Sequence, residues 1–354
     1  MLAPPPPDCV ATRAALSRIN PLYYDRRYPV FVVMERCAHD WWIHSTEDFE
    51  REANLDTLQG MYVKATGGGT WCRQIHGNPQ PYMWNAFGGH PDTPLTALPN
   101  DTDAIQCALN VIGCRGGTLE FPGNRVFAIY KTLYLRITRQ QRDPPALAAD
   151  ANIADRSNFR IFSDGTGHLV ALAPMEAMLM FQYNSNAVGG VTNFIGPEQS
   201  TVTGIRFNGN GKAKYAVDHG FTSKTKIYNN VIFNVTQGGV HWVGSAQANV
   251  YGNVIKAPQG IVCAQGYGGD LHIGPNDYYF PATGGCAVFI ENSGNIVVDG
   301  GTVNGEGFAN VVGVEIKSVN GLVRHVKVLN MEWSGCLGVR TRGLRSRRGS
   351  RPTR

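Results

Sequence analysis

From about residue 158 onward, short runs of β-forming residues alternate with glycine and asparagine. Glycines recur at intervals of 21, 25, 28 and 25 residues, at Gly239, Gly260, Gly285, Gly313 and Gly338. A second series, each member followed by β-forming residues, consists of Asn230, Asn253, Asp270, Asn295 and His325. Two or three short strands in every 21–28 residues are typical of a solenoid.

Within the runs, apolar and polar residues alternate as they do in a strand with one buried face. In 313–317, Val314 and Ile316 are predicted to point inward, and Glu315 and Lys317 outward. In 286–291 the same rule places Cys286, Val288 and Ile290 inward and Ala287, Phe289 and Glu291 outward. Hairpin signals are few, and Gly and Asn suit corners that need a positive φ. The pattern predicts an all-β fold, a single-stranded right-handed parallel β-helix.

The clearest helical pattern lies at 101–114, where Ile105, Ala108, Leu109 and Ile112 form one apolar stripe. Any of residues 100–103 can cap it, and Gly116 ends it. We expect this helix to cover the open first coil of the solenoid. A shorter helix is predicted over 45–58, with Ser45 as its cap. The predicted organisation is an irregular N-terminal segment at 1–60, a connecting segment at 61–99, the β-helix at 100–339, and a disordered basic tail at 340–354.

The net charge of +5 comes from that tail, which carries seven arginines and no acid. An arginine-rich tail can bind nucleic acid, but no aromatic residue is interleaved to stack on bases. We therefore predict a disordered tail and no nucleic-acid partner. No apolar run reaches about 18 residues, so no membrane span is expected.

The termini and cysteines add further expectations. The first residues include four consecutive prolines and lack the basic and apolar regions of a signal peptide, so export by the ordinary signal route is not predicted. The strand pattern stops within a few residues of Val339, and one hypothesis is a truncated or frame-shifted coding region. The eight cysteines show no zinc spacing and are predicted to be buried thiols.

Residues 100–135, with the motifs DTDAIQ and GGTLEFPG, resemble the N-terminal cap of β-helix proteins of the pectate-lyase superfamily. NFRIFSDGTG at 158–167 is similar to the coil that follows that cap. GGGTWCRQ and NAFGGHPD, which precede it, resemble the corresponding segment of phage tailspikes and related polysaccharide depolymerases. The resemblance covers roughly 60–340, and its motifs are more specific for fold than for chemistry.

The resemblance implies a polysaccharide substrate, cleaved by hydrolysis or by β-elimination, and a homotrimer in an extracellular or virion setting. A virion protein released by lysis needs no signal peptide. Hydrolysis requires two carboxylates about 5–9.5 Å apart. Elimination at a uronic acid requires a base and a group that neutralises the sugar carboxylate. No cofactor or metal is predicted, except that a divalent cation such as calcium would suit a lyase.

Four outward carboxylates and one histidine are the predicted catalytic groups: Asp270, Asp277, Glu291 and Asp299, with His272 as a candidate base. Tyr278, Tyr279, His241 and Lys317 are the predicted substrate-binding residues. Each aspartate has an alternative role as a turn residue beside Gly or Asn. The Asp218-His219-Gly220 segment resembles the His-Gly of polygalacturonases, but their other motifs have no match, and a turn is the alternative.

The rival functional class is a non-catalytic glycan-binding protein or adhesin, and a second rival is a released bacterial enzyme. Carboxylates that face one groove would favour an enzyme. Carboxylates scattered over different faces would favour a binding protein.

Overall fold

The computed structural model describes residues 9–20, 29–33, 40–47, 49–135, 159–181, 184–188, 191–195, 199–220, 223–243, 246–264, 270–318 and 323–342. The proline run at the N-terminus and most of the predicted basic tail lie outside these ranges. Among the described residues, no helix is both long enough and apolar enough to cross a membrane.

Three parallel sheets of eight strands each run the length of the molecule, which confirms the predicted parallel β-helix. Sheet A contains Gly117–Phe121, Phe159–Ser163, Thr201–Thr203, Ser223–Tyr228, Ala246–Tyr251, Leu271–Ile273, Gly294–Asp299 and Arg324–Leu329. Sheet B contains Val126–Ile129, His168–Ala171, Arg206–Asn208, Val231–Phe233, Val254–Lys256, Asp277–Tyr279, Thr302–Asn304 and Glu332–Ser334. Sheet C contains Leu133–Leu135, Met175–Phe181, Ala213–Gly220, Gly238–Val243, Gln259–Ala264, Cys286–Glu291, Val312–Lys317 and Leu337–Arg342. The chain visits A, B and C in turn, so each coil adds one strand to each sheet.

The region before the solenoid contains a smaller five-stranded sheet with its own core around Trp42 and Trp71. Its strands are Cys9–Val10, Val30–Val32, Trp41–Ser45, Tyr62–Lys64 and Thr70–Arg73. It therefore joins residues on both sides of the predicted boundary at residue 60. The helices are α1 (Arg13–Ser17), α2 (Glu50–Leu55) and α3 (Thr102–Arg115), with 3₁₀ turns at Pro81–Trp84 and Leu95–Ala97. One antiparallel hairpin, Asn184–Val188 with Val191–Ile195, lies between the second and third coils.

The apolar stripe of α3 packs into the same buried cluster as the first coil, including Leu119 and Leu133. The residue that caps the helix is Asp101, one of the predicted caps, and Asn100 Oδ1 accepts hydrogen bonds from the backbone N and the hydroxyl of Thr102. The prediction for α2 was wrong at its start. Ser45 ends a strand rather than capping a helix, because the chain pairs there with Thr70.

The corner between sheets A and B is built on asparagine. Asn230, Asn253 and Asn276 stack in successive coils. The side-chain oxygens of Asn253 and Asn276 each accept from the backbone N and Nδ2 of the asparagine one coil earlier. The side-chain oxygen of Asn230 accepts from the backbone N of Ile205. The residue just before this corner has a positive φ in most coils, at Gly204, Asn229, Gly252, Gly300 and Asn330. Positive φ at corners is thus confirmed. The second series in the sequence was wrong in one respect, because its members do not occupy equivalent positions. Asn230 and Asn253 lie at the corner between sheets A and B, whereas Asp270, Asn295 and His325 lie at or just before the beginning of a strand of sheet A.

The glycine series marks strands of sheet C rather than corners. The residues in register are Gly239, Gly260, Ala287, Gly313 and Gly338, so Gly285 was assigned two residues too early. Here the strand bends so that two consecutive residues, such as Ala287 and Val288, both enter the core. Ala287 was therefore wrongly predicted to point outward. The missing side chain makes room for large neighbours, since a Cβ on Gly260 would lie 2.4 Å from the ring of Tyr278.

Candidate functional site

Apart from Tyr278, the predicted site residues lie on or beside the outer faces of all three sheets. His272 and Asp299 are on sheet A, with Asp270 immediately before the strand of His272, and Asn330 Nδ2 donates to Asp299 Oδ1 at 2.8 Å. Asp277 and Tyr279 are exposed on sheet B. Glu291, Lys317 and His241 are on sheet C. The structure therefore does not bring the four predicted carboxylates together.

Two aromatic residues considered in the sequence are buried in the core. Tyr278 is only 1% exposed, so the prediction that it contacts substrate is wrong. It lies between Asp277 and Tyr279 in a strand, and adjacent strand residues point to opposite faces. His219 is also buried, and burial lowers the pKa of its imidazole to about 3. Neither side chain can reach a polymer outside the coil.

One outward row of side chains crosses every coil of sheet C, and we call it the C-face row. Strand register aligns Tyr134, Met180, Asp218, His241, Val262, Phe289, Glu315 and Arg340. Seven inter-strand steps of about 4.8 Å give a straight track of roughly 34 Å. A track of this length suits an extended polymer.

Near the middle of the row, the Asp218 carboxylate lies 3.3 Å from Nδ1 of His241. Their side chains are only 16% and 18% exposed. The His241 ring stacks on Tyr215 with a centroid distance of 4.4 Å and an interplanar angle of 9°. Burial, together with the nearby Glu176 and Asp218 carboxylates, raises the pKa of Tyr215 to about 12. Its hydroxyl group therefore stays protonated near neutral pH.

The surface around this pair is apolar. Tyr215 and Val262 are each 4% exposed although they lie on the outer side of the sheet. Met180, Ala264 and Phe289 pack against them and are partly buried. A flat apolar floor with polar groups at defined points is the usual composition of a ligand-binding surface.

The other carboxylates of this face are paired with cations. Lys317 Nζ lies 2.6 Å from Glu291 Oε1, and Lys214 Nζ lies 2.6 Å from Glu176 Oε2. Glu315 bonds to two arginines, with Arg340 Nη2 at 2.8 Å and Arg342 Nε at 2.9 Å. Each of these three carboxylates is therefore already engaged by at least one cationic side chain.

The Asp218–His241 pair is the arrangement on this face best suited to proton transfer. The 3.3 Å contact is within ion-pair distance but is not a hydrogen bond. The negative charge of the carboxylate still favours hydrogen on the nearby Nδ1, which leaves Nε2 to accept a proton. Within the described ranges, no group of three or more His, Cys, Asp or Glu side chains could hold a metal ion.

From the sequence, Asp218 belonged either to a His-Gly motif or to a turn, and Tyr215 was not a candidate; both lie in the strand Ala213–Gly220. One signal was available. Asp218 and His241 are 23 residues apart, which lies inside the 21–28-residue repeat, so consecutive coils place them side by side. Spacing equal to one coil is the property that brings outward residues of a solenoid together.

No protein-family model matches the chain, and a search of curated proteins finds no match. Among solved structures, the chain is similar to the tailspike protein of Acinetobacter baumannii phage AM24, with 11% identity and a TM-score of 0.51. The match covers 93% of this chain and 55% of the tailspike, so the chain spans about half of that protein. The likeness shows a shared parallel β-helix fold.

Two more distant likenesses are to Geobacillus virus E2 ORF18 and to an endo-xylogalacturonan hydrolase from Aspergillus tubingensis. The first has 10% identity and a TM-score of 0.46, and covers 95% of this chain and 74% of the other. The second has 10% identity and a TM-score of 0.33, and covers 69% of this chain and 90% of the other.

Proposed function

We propose that the outer face of sheet C binds a polysaccharide and cleaves it, with the Asp218–His241 pair as the proton-transfer group. The observation that carries this proposal is the half-buried pair itself, stacked on Tyr215 at the centre of a straight, partly apolar track. The fold supports it, because a long flat face can hold a linear polymer across several coils.

We favour β-elimination over hydrolysis. Hydrolysis needs two available carboxylates, and Glu176, Glu291 and Glu315 are all bonded to cations. In elimination, Nε2 of His241 takes the proton from the carbon beside the uronate carboxyl group. The electron pair forms the new double bond, the bond to the glycosidic oxygen breaks, and that oxygen takes up a proton from solvent. Asp218 stabilises the imidazolium that forms.

A non-catalytic glycan-binding protein is the second candidate. It is favoured by the scatter of the predicted carboxylates over three faces and by the ion pairing of those on sheet C. In that case the C-face row would hold a sugar chain without transferring a proton.

Incubation with a panel of acidic and neutral polysaccharides separates these candidates, read as unsaturated-uronate absorbance and as new reducing ends. We expect both signals from the wild type, and a 10²–10⁴-fold loss of rate in D218N and H241Q. The matched controls D277N and H272Q change the same residue types on other faces and should keep full activity. Reducing ends without absorbance would mean hydrolysis. Retained binding with neither signal would mean a binding protein.

The setting and assembly are also proposals. We place the protein on a virion or outside the cell, as a homotrimer, in line with the tailspike-like fold, and sedimentation of the purified chain tests the trimer. We propose that catalysis needs no resident cofactor. If the elimination uses a divalent cation such as calcium, chelation should abolish the absorbance signal and added calcium should restore it.

A further inference from the structure

A cleft of about 410 Å³ lies between α3 and the first strands of sheet C. Its lining includes Asp103 and Gln106 from α3, and Tyr134 and Met175 from the first two strands of sheet C. Tyr130 and Lys131, in the loop that leads into the strand of Tyr134, complete it. Its volume falls within the range of about 300–1,000 Å³ that small-molecule sites occupy.

The cleft lies at one end of the C-face row. Tyr134 is the first member of that row, and it pairs in register with Met180, which in turn pairs with Asp218. On the other side of the cleft, Met175 begins the strand that continues into Glu176 and Met180. Because α3 forms one wall, a polymer that follows the row toward the N-terminus ends in this cleft.

Hydrogen bonds fix the walls of the cleft. Gln106 Oε1 accepts from the backbone N of Tyr134 at 2.7 Å, and Gln106 Nε2 donates to the Tyr134 carbonyl at 3.0 Å. Thr102 Oγ1 accepts from the backbone N of Tyr130 at 2.8 Å. The backbone of both tyrosines is therefore tied to α3, so the cleft is formed before any ligand arrives.

The lining groups match a saccharide. Tyr130 is 38% exposed and offers a ring face for stacking on the apolar side of a sugar. Asp103 and Lys131 are both exposed, and neither forms an ion pair with any residue in the described part of the chain. The Asp103 carboxylate is a hydrogen-bond acceptor and the Lys131 ammonium group is a donor. Together they suit the hydroxyl groups of a sugar better than they suit a purely apolar or purely anionic ligand.

We propose that this cleft is a terminal subsite that holds the end of the saccharide chain bound along sheet C. The inference rests on the proposed function for its polymer, but it concerns different residues. The cleft closes one end of the C-face row. The end of a saccharide chain would bind in the cleft, and the interior of the same saccharide would lie over Asp218 and His241.

Saturation-transfer NMR with a panel of neutral and uronate-containing di- and tetrasaccharides tests the subsite directly. We expect the wild type to bind at least one member, and Y130A and K131A to bind it roughly tenfold more weakly. Y279A and K256A are the matched controls, since both side chains are exposed on sheet B, and they should bind as the wild type does.

The outcomes separate this inference from the proposed function. If no fragment binds, or if Y130A and K131A bind as tightly as the wild type, the cleft is not a subsite, whatever the polymer assays show. If fragments bind in the cleft while the wild type cleaves no polysaccharide, the subsite stands and the catalytic proposal fails. If only uronate-containing fragments bind, and K131A loses them while Y130A does not, Lys131 recognises a carboxylate and the assignment of Tyr130 and Lys131 to a sugar-stacking, hydroxyl-binding subsite is overturned.

Discussion

Asn253 is the central rung of the asparagine stack at the corner between sheets A and B, and it is 1% exposed. Its side-chain oxygen accepts from the backbone N and Nδ2 of Asn230, both at 3.0 Å. Its Nδ2 donates to Asn276 Oδ1 at 2.9 Å and to the carbonyl groups of Ile227 and Tyr251 at 3.0 and 3.1 Å. One side chain thus satisfies polar groups in three consecutive coils.

The substitution N253A removes every one of these side-chain bonds. Asn230 Nδ2 keeps the Val202 carbonyl, and Asn276 Oδ1 keeps the backbone N of residue 253, but the buried backbone N of Asn230 loses its acceptor. An orphaned buried donor costs about 1–3 kcal/mol, and the other lost bonds add about 1 kcal/mol. We expect N253A to lower the free energy of unfolding by about 2–4 kcal/mol.

The isosteric change N253D tests the direction of the bonds. A carboxylate oxygen would replace Nδ2 and face three oxygen acceptors, so the ionised form is disfavoured in the folded state. The pKa of that new carboxyl group would therefore be raised by folding. The loss of stability should be largest at neutral pH and should diminish as the pH falls and the group is protonated.

Urea unfolding followed by circular dichroism measures both variants, with N249A as the matched control. Asn249 lies in the same coil but points outward on sheet A, so its loss should change stability by less than about 0.5 kcal/mol. If N253A and N249A unfold at the same denaturant concentration, the stack does not stabilise the corner and this account of the solenoid is refuted.

Two further predictions concern packing and pH. G260A should destabilise the fold by about 1–3 kcal/mol, because its Cβ would lie 2.4 Å from both the Tyr278 ring and the Ala287 carbonyl oxygen. G220A is the control, because a Cβ at that position would meet no atom within 4 Å and should leave stability unchanged. Equal melting temperatures for the two variants would contradict this prediction. Burial raises the pKa of Asp101 from 3.8 to about 6, so ionisation opposes folding. Stability should therefore fall by about 2 kcal/mol between pH 4 and 7 relative to D101N, as urea titrations at both pH values can show.

The solenoid could be predicted from the sequence because every coil repeats the same short pattern of residues. Glycine, asparagine and alternating apolar residues recur once per coil, and each coil makes the same demands on the chain. It was harder to predict which residues of successive coils lie side by side in sheet C. Ala287 occupies a position that other coils give to glycine, and the nearby Gly285 fits the interval almost equally well.

The site was less accessible to sequence reasoning because outward residues have no packing partner to reveal them. From the sequence, Tyr278 and Tyr279, in the segment 274–285, were both predicted to contact substrate. That segment contains a strand of sheet B, and strand alternation exposes Tyr279 while burying Tyr278. Asp218 and His241 look like isolated polar residues until the 23-residue spacing is matched to the coil.

Two polar side chains on the outer face of sheet C, those of Asp218 and His241, are only 16% and 18% exposed. An outward aspartate on a solenoid can extend into water at no cost, as the exposed Asp277 does. Asp218 and His241 instead lie beside the apolar cluster of Tyr215 and Val262. Removal of a charged group from water is unfavourable there, and apolar residues at the two positions would stabilise the fold equally well. Stability therefore gives no reason for this pair at the centre of the row, which supports the proposed proton-transfer role. On this reasoning, D218N and H241Q should lose function while their unfolding free energies stay close to that of the wild type.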